Sequence, residues 1–229
     1  MNFSQYIIFK HYIGAILCKN LYRTSSKTVT VKHKDHMYIA IKGTSTARDW
    51  RCNLNVKKNA SDIHTGFLGY ADECFYELKT NNSIYNMKDC SHIVLSSHSL
   101  GACAAVLLLY NLMLHYGIFL EGKHIDLVMF GSPKPGGSAF TKEFARLMTR
   151  YDVDVYRYNN KYDVIPNYPP LDGYNHISDE IILDPQNIKR TNVYADHCLD
   201  SYIYNLLRQS LTHEPFIYDP FKEKIDKET

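Results

Sequence analysis

The chain has 229 residues, 45% hydrophobic and 22% charged, with a net charge of +2. That is enough sequence to bury a full core in one piece, so residues 1–229 are read as a single domain. The near-neutral balance argues neither for nor against a polyanionic partner, and with no block of Lys and Arg interleaved with aromatics no nucleic acid is expected.

In chain order, the first stretch, MNFSQYIIFKHYIGAILCKN, lacks the basic start and the A-x-A site of a leader, and Lys10 and His11 interrupt its apolar run. It reads as an amphipathic helix with Ile8, Tyr12, Ala15 and Ile16 on one face, and a cytoplasmic location is favoured over secretion. Strand-like runs follow at 28–31, 37–41, 92–96, 126–130, 154–158 and 180–183. Between them lie helical patterns. Phe67, Ala71, Cys74, Phe75 and Leu78 repeat at helical spacing behind Thr65 as candidate N-cap, 100–115 forms a second helix, Phe140, Phe144 and Leu147 mark a third, and Leu199, Tyr202, Ile203 and Leu206 a fourth. Strands alternating with helices predict an α/β domain with a largely parallel sheet. The tail 219–229 is charged and expected to fray.

Several features carry no function. HKDH, His33 to His36, is a turn, because its two histidines would point to opposite faces of a strand. GSPKPGG lacks Walker spacing and reads as a strand-end turn. Asn59 and Asn81 head glycosylation-type triplets that an Asn-rich chain produces by chance. Cys18, Cys52, Cys74, Cys90, Cys103 and Cys198 form no C-x-x-C pair and no zinc spacing, and are expected as free thiols, with Cys74 and Cys103 on apolar helix faces.

The informative stretch is HIVLSSHSLGACAAVLL, residues 92–108. The apolar run 100–114 holds Asn111 and is shorter than the ~18 to 20 residues that span a bilayer, so no transmembrane segment is expected. A strand, a sharp turn presenting one serine, and a small-residue helix explain it instead. In such an elbow the residues two before and two after the serine must be small. Ser99 has Ser97 and Gly101, whereas Ser97 would have bulky Leu95 and Ser96 would have Val94 and His98. Ser99 is the candidate nucleophile, with the first amides of the following helix poised to stabilise negative charge.

A serine nucleophile needs a base and an orienting carboxylate, in the chain order serine, acid, histidine, at the carboxyl edge of the sheet. Asp126 begins a strand, the wrong end; Asp163 follows one, in a loop stiffened by Pro166, Pro169 and Pro170. The histidines after it are His176, His197 and His213. His213 beside Pro215 reads as surface; layout favours His197, ahead of the last helix, over His176, and both stay open.

These residues resemble the class 3, or fungal-type, triacylglycerol lipase family of the α/β-hydrolase superfamily. The likeness runs through YIAIKGTSTARDWRCNL (38–54), IHTGFLGYA (63–71), IVLSSHSLGACAA (93–105), VMFGSPKPG (128–136), YRYNNKYDVIPNYPP (156–170) and DHCLDSY (196–202). It implies an α/β-hydrolase fold, Ser99, Asp163 and His197 as catalytic residues, Thr44 and Leu100 as oxyanion donors, and no metal or organic cofactor. His98, adjacent to Ser99, is expected to pack. Ser97 stands where the family usually has glycine. The lid candidate, 45–56, offers a thin apolar face of Ala47, Trp50, Leu54 and Val56, which argues for only transient contact with a lipid surface and weak interfacial activation. The expected activity is hydrolysis of lipid acyl esters, triacylglycerol foremost; the alternatives are a phospholipase or soluble-ester carboxylesterase on the same residues, or an inactive lipid-binding module.

Overall fold

The computed structural model describes residues 3–44, 57–184 and 193–211. The lid candidate, Cys52, His213 and the charged tail lie outside them. Six strands form one sheet in sequence order: β1 (Thr28–His33), β2 (His36–Ile41), β3 (His92–His98), β4 (His124–Phe130), β5 (Asp152–Asn160) and β6 (Ile181–Leu183). β1 pairs antiparallel with β2, and every later pair is parallel. This is the mixed, mostly parallel sheet of an α/β-hydrolase, and each of the six strand-like runs of the sequence is one of its strands.

Parallel strands buried on both faces read as continuous apolar runs, and the period of two sorts their side chains between two cores. Met37, Ile39, Ile41, Ile93, Leu95, Ile125, Leu127 and Met129 point to one face, where they meet α2 (Thr65–Thr80), α3 (Leu100–His115) and α4 (Ser138–Met148). The intervening Tyr38, Ala40, Val94, Val128, Phe130, Tyr156 and Tyr158 point to the other, against α1 (Phe3–Leu21) and the last helix, Leu199–Leu211. Of the core residues foreseen on these helices, Phe67, Ala71, Cys74 and Leu78 on α2, Phe140, Phe144 and Leu147 on α4, and Leu199, Tyr202, Ile203 and Leu206 on the last are buried, whereas Phe75 on α2 is half-buried against the same core. No described helix is long and apolar enough to cross a membrane. Among the described residues the cysteines are free, Cys18, Cys74, Cys90 and Cys103 buried and Cys198 exposed.

One local expectation is corrected. The N-cap of α2 is His64 rather than Thr65: His64 Nδ1 accepts from the Gly66 amide at 3.1 Å, while the Thr65 hydroxyl donates to Lys57 O. Lys10 and His11, which interrupt the apolar run of α1, do not face solvent. Lys10 donates to Asp126 at 2.7 Å, and His11 Nδ1 lies 2.8 Å from the Tyr158 hydroxyl. Asp126 also bonds His92 at 2.9 Å and His124 at 3.1 Å, which closes a polar clasp between α1 and the amino ends of β3 and β4.

Candidate active site

Ser99 sits between β3 and α3 with φ 59° and ψ −128°, a region that L-residues adopt only under constraint. Its amide donates to Phe130 O on β4 at 3.0 Å, and its carbonyl accepts from the Ala102 amide at 2.9 Å. The need for small flanks holds. A Cβ on Gly101 would lie 2.4 Å from Lys42 O, so glycine is required by the end of β2. Ser97 is buried and donates to Val128 O at 3.1 Å, so the side chain standing in place of glycine is absorbed by the next strand.

The structure brings Ser99, His197 and Asp163 together from far apart in the chain. His197 Nε2 is 2.8 Å from Ser99 Oγ, and His197 Nδ1 is 2.7 Å from Asp163 Oδ2. His197 ends α5 (Val193–His197), just before α6 (Leu199–Leu211). An ionised carboxylate only accepts, so Nδ1 carries the proton and Nε2 is left to accept from the serine hydroxyl. Asp163 Oδ1 also accepts from the Ile165 amide at 2.9 Å, and Oδ2 from the Tyr202 hydroxyl at 2.6 Å. Burial pushes the Asp163 carboxyl up. The bond and charge of His197, with the bonds from Tyr202 and Ile165, outweigh it and hold the group below the usual carboxylate range. His176 is not part of this cluster: its Nε2 donates to Pro166 O at 2.9 Å, bracing the loop of Asp163, and burial pushes its pKa down to about 3.

Thr44 follows β2, and its buried hydroxyl has no hydrogen-bond partner among the described residues, which leaves it as a donor for whatever enters the site. The preceding residue, Gly43, packs on the nucleophile's turn: a Cβ there would be 2.9 Å from Ser99 Cβ. Leu100 opens α3, so its amide belongs to the first helical turn, which has no intrahelical acceptor.

Three contributors escaped sequence reading. Gly131, with φ 60°, was taken only as part of a strand-end turn; a Cβ there would meet Asp163 Oδ2 at 2.9 Å and the His197 ring at 3.0 Å. Tyr202 was assigned only to a helix face. Asn160 holds α5 by donating to Asp196 O at 2.7 Å and is itself bonded by Asn205. The Gly-Ser-Pro after an apolar strand was the one available signal, for Gly131.

Among the described residues, His92, His124 and Asp126 are the group that could hold a metal ion. The Lys10 ammonium already lies against that carboxylate, and the cluster is at the opposite edge of the sheet from Ser99.

A family model described as lipase (class 3) matches residues 38–173. The chain belongs to the class 3 lipase family. Phospholipase A1-IIgamma of Arabidopsis thaliana is 32% identical over 123 residues, which cover 50% of this chain and 28% of that protein. A lipase of Rhizomucor miehei is 24% identical over 168 residues, 70% of this chain and 45% of that one. The chain thus spans under half the length of either. The crystal structure of a lipase from Rhizopus microsporus var. chinensis superposes with a TM-score of 0.61 at 16% identity, over 90% of this chain and 87% of that one, and shares the fold.

This class 3 lipase domain keeps several imidazoles neutral. Burial pushes His11 and His98 down to about 3 and His64 to about 4. In the unfolded chain each returns to about 6.5. The unfolded state therefore binds more protons between those values, and stability falls as pH drops from about 6.5 towards 4, by up to about 1.4 kcal/mol per pH unit for each ring. The urea midpoint should drop progressively over that window; a flat profile would contradict neutral burial.

Proposed function

We propose that the chain is a serine hydrolase of lipid acyl esters. The observation that carries this reading is the unbroken contact from Asp163 through His197 to Ser99, at 2.7 and 2.8 Å. In the proposed reaction Ser99 Oγ attacks the acyl carbonyl as His197 Nε2 takes its proton. Asp163 keeps the proton on Nδ1 and stabilises the imidazolium. The developing oxyanion is met by the amides of Thr44 and Leu100 and by the Thr44 hydroxyl. His197 then protonates the departing glycerol oxygen, an acyl-enzyme remains, and water activated by the same ring releases the fatty acid.

The foremost substrate is triacylglycerol. A phospholipid is the second reading, favoured by the likeness to a protein named phospholipase A1. Rates on triolein emulsion, phosphatidylcholine vesicles and p-nitrophenyl butyrate separate the two from a soluble esterase. A fluorophosphonate should modify Ser99; modification elsewhere, or none, would defeat the reading.

Thr44→Ala removes the hydroxyl but keeps the amide. It should lower kcat about 10- to 100-fold with little change in KM, and Thr44→Ser should restore most of the loss. An unchanged kcat would leave the hydroxyl without a part.

A further inference from the structure

His98 does not merely pack. Both ring nitrogens are engaged, and the direction of each bond is forced from the ends. The carbonyl of His197 can only accept, so His98 Nε2 carries the proton and donates to it at 2.9 Å. The Gly43 amide can only donate, so the Tyr22 oxygen accepts from it at 2.9 Å. That leaves the phenolic hydrogen for His98 Nδ1, 2.7 Å away. A single polarised chain therefore runs Gly43 N–H, Tyr22 O–H, His98, His197 C=O, and one neutral tautomer of His98 satisfies every link.

This chain joins three segments of the site. Gly43 precedes Thr44, His98 precedes Ser99, and His197 is the base. The His98 and His197 rings also stack, with centroids 4.9 Å apart and planes 30° apart. α5 has five residues, too few to hold its own geometry, so the base depends on tertiary anchors. Two successive carbonyls are clamped: Asp196 O by Asn160 and His197 O by His98. Burial of His98 supports the neutral ring that the chain requires.

We propose that His98 and Tyr22 are positioning residues, which lock the backbone of His197 in register with the strand end that carries Thr44. The inference rests on the serine-hydrolase reading. Neither residue touches the reacting atoms, and loss of either lets the base drift from Ser99 Oγ, where about 1 Å of misplacement costs about 100-fold.

The test uses the full chain, with steady-state kinetics on p-nitrophenyl butyrate and the rate of fluorophosphonate labelling at Ser99. His98→Ala should lower kcat about 10- to 100-fold with KM within about 2-fold, and labelling should slow in parallel. Tyr22→Phe, which removes one oxygen and keeps the ring, should lower kcat about 3- to 10-fold. The double variant should be no slower than His98→Ala, because a chain broken once has nothing more to lose. Losses that multiply in the double variant, or a folded His98→Ala within about 2-fold of wild type in kcat, would overturn the proposal. Should His98→Ala not fold, Tyr22→Phe decides: an unchanged kcat rejects the chain. Wild-type protein that fails to label at Ser99 rejects instead the hydrolase reading beneath it.

Discussion

Ser99→Ala is expected to abolish ester hydrolysis, by on the order of 10⁴- to 10⁶-fold in kcat, without unfolding the protein. The turn does not depend on the hydroxyl. It is held by the Ser99 amide on Phe130 O, by the Ala102 amide on Ser99 O, and by the fit of Gly101 against Lys42. Alanine keeps the Cβ and therefore the cost of φ 59°, which for a non-glycine residue is about 1 to 3 kcal/mol. Ser99→Gly removes that Cβ. It should be equally inactive, yet more stable than Ser99→Ala by up to about 2 kcal/mol, once the added flexibility of glycine in the unfolded chain is offset. Paired urea titrations of the two variants read this difference. Residual turnover in Ser99→Ala at wild-type levels would remove Ser99 from the mechanism, and a glycine variant less stable than the alanine one would show that the turn stores no strain.

Asp126→Asn carries the second large effect, on stability rather than on chemistry. Asp126 is fully buried and accepts from Lys10, His92 and His124. Burial pushes its carboxyl up, but the bonds from His124 and His92 and the charge of Lys10 hold it far below the usual range. Amidation leaves the Lys10 ammonium, itself 4% exposed, without a counter-charge, at an expected cost of about 3 to 5 kcal/mol. That is a large part of the about 5 to 15 kcal/mol that holds a domain folded. Lys10→Met should cost less, because Asp126 keeps its two imidazole partners.

The clasp also has a pH signature. The bond to Asp126, ahead of that to Asp152, raises His124 to about 9. A raised folded pKa contributes stability that is fully present below about 6.5 and lost as pH rises through about 9. Asp126→Asn should flatten that alkaline decline, while kcat of the folded variant stays near wild type because the clasp lies across the sheet from Ser99. A variant within about 1 kcal/mol of wild type would mean that the buried charge is solvated in some other way.

The architecture was legible because burial leaves a periodic imprint. Strands covered on both faces read as continuous apolar runs, so IVL before Ser96 and LVMF before Gly131 announce themselves without reference to the rest of the chain. Ser99 was legible for a related reason, since a strained turn tolerates only small flanks, and Ser97 and Gly101 supply them. Chain order then narrowed the acid to Asp163, at the carboxyl end of β5.

What local pattern could not decide is who meets whom. Layout favours His197 over His176 but leaves both open, and only packing puts the first beside Ser99 and the second beneath Pro166. Lys10 looked like an interruption in an apolar helix, because its partner, Asp126, lies 116 residues away. Tyr202, Asn160, Gly131, and the chain from Gly43 through Tyr22 and His98 to His197, were invisible for the same cause. Spacing along the chain encodes which face a side chain occupies, whereas the geometry of a polar network is set by contacts between segments that meet only once the sheet has closed.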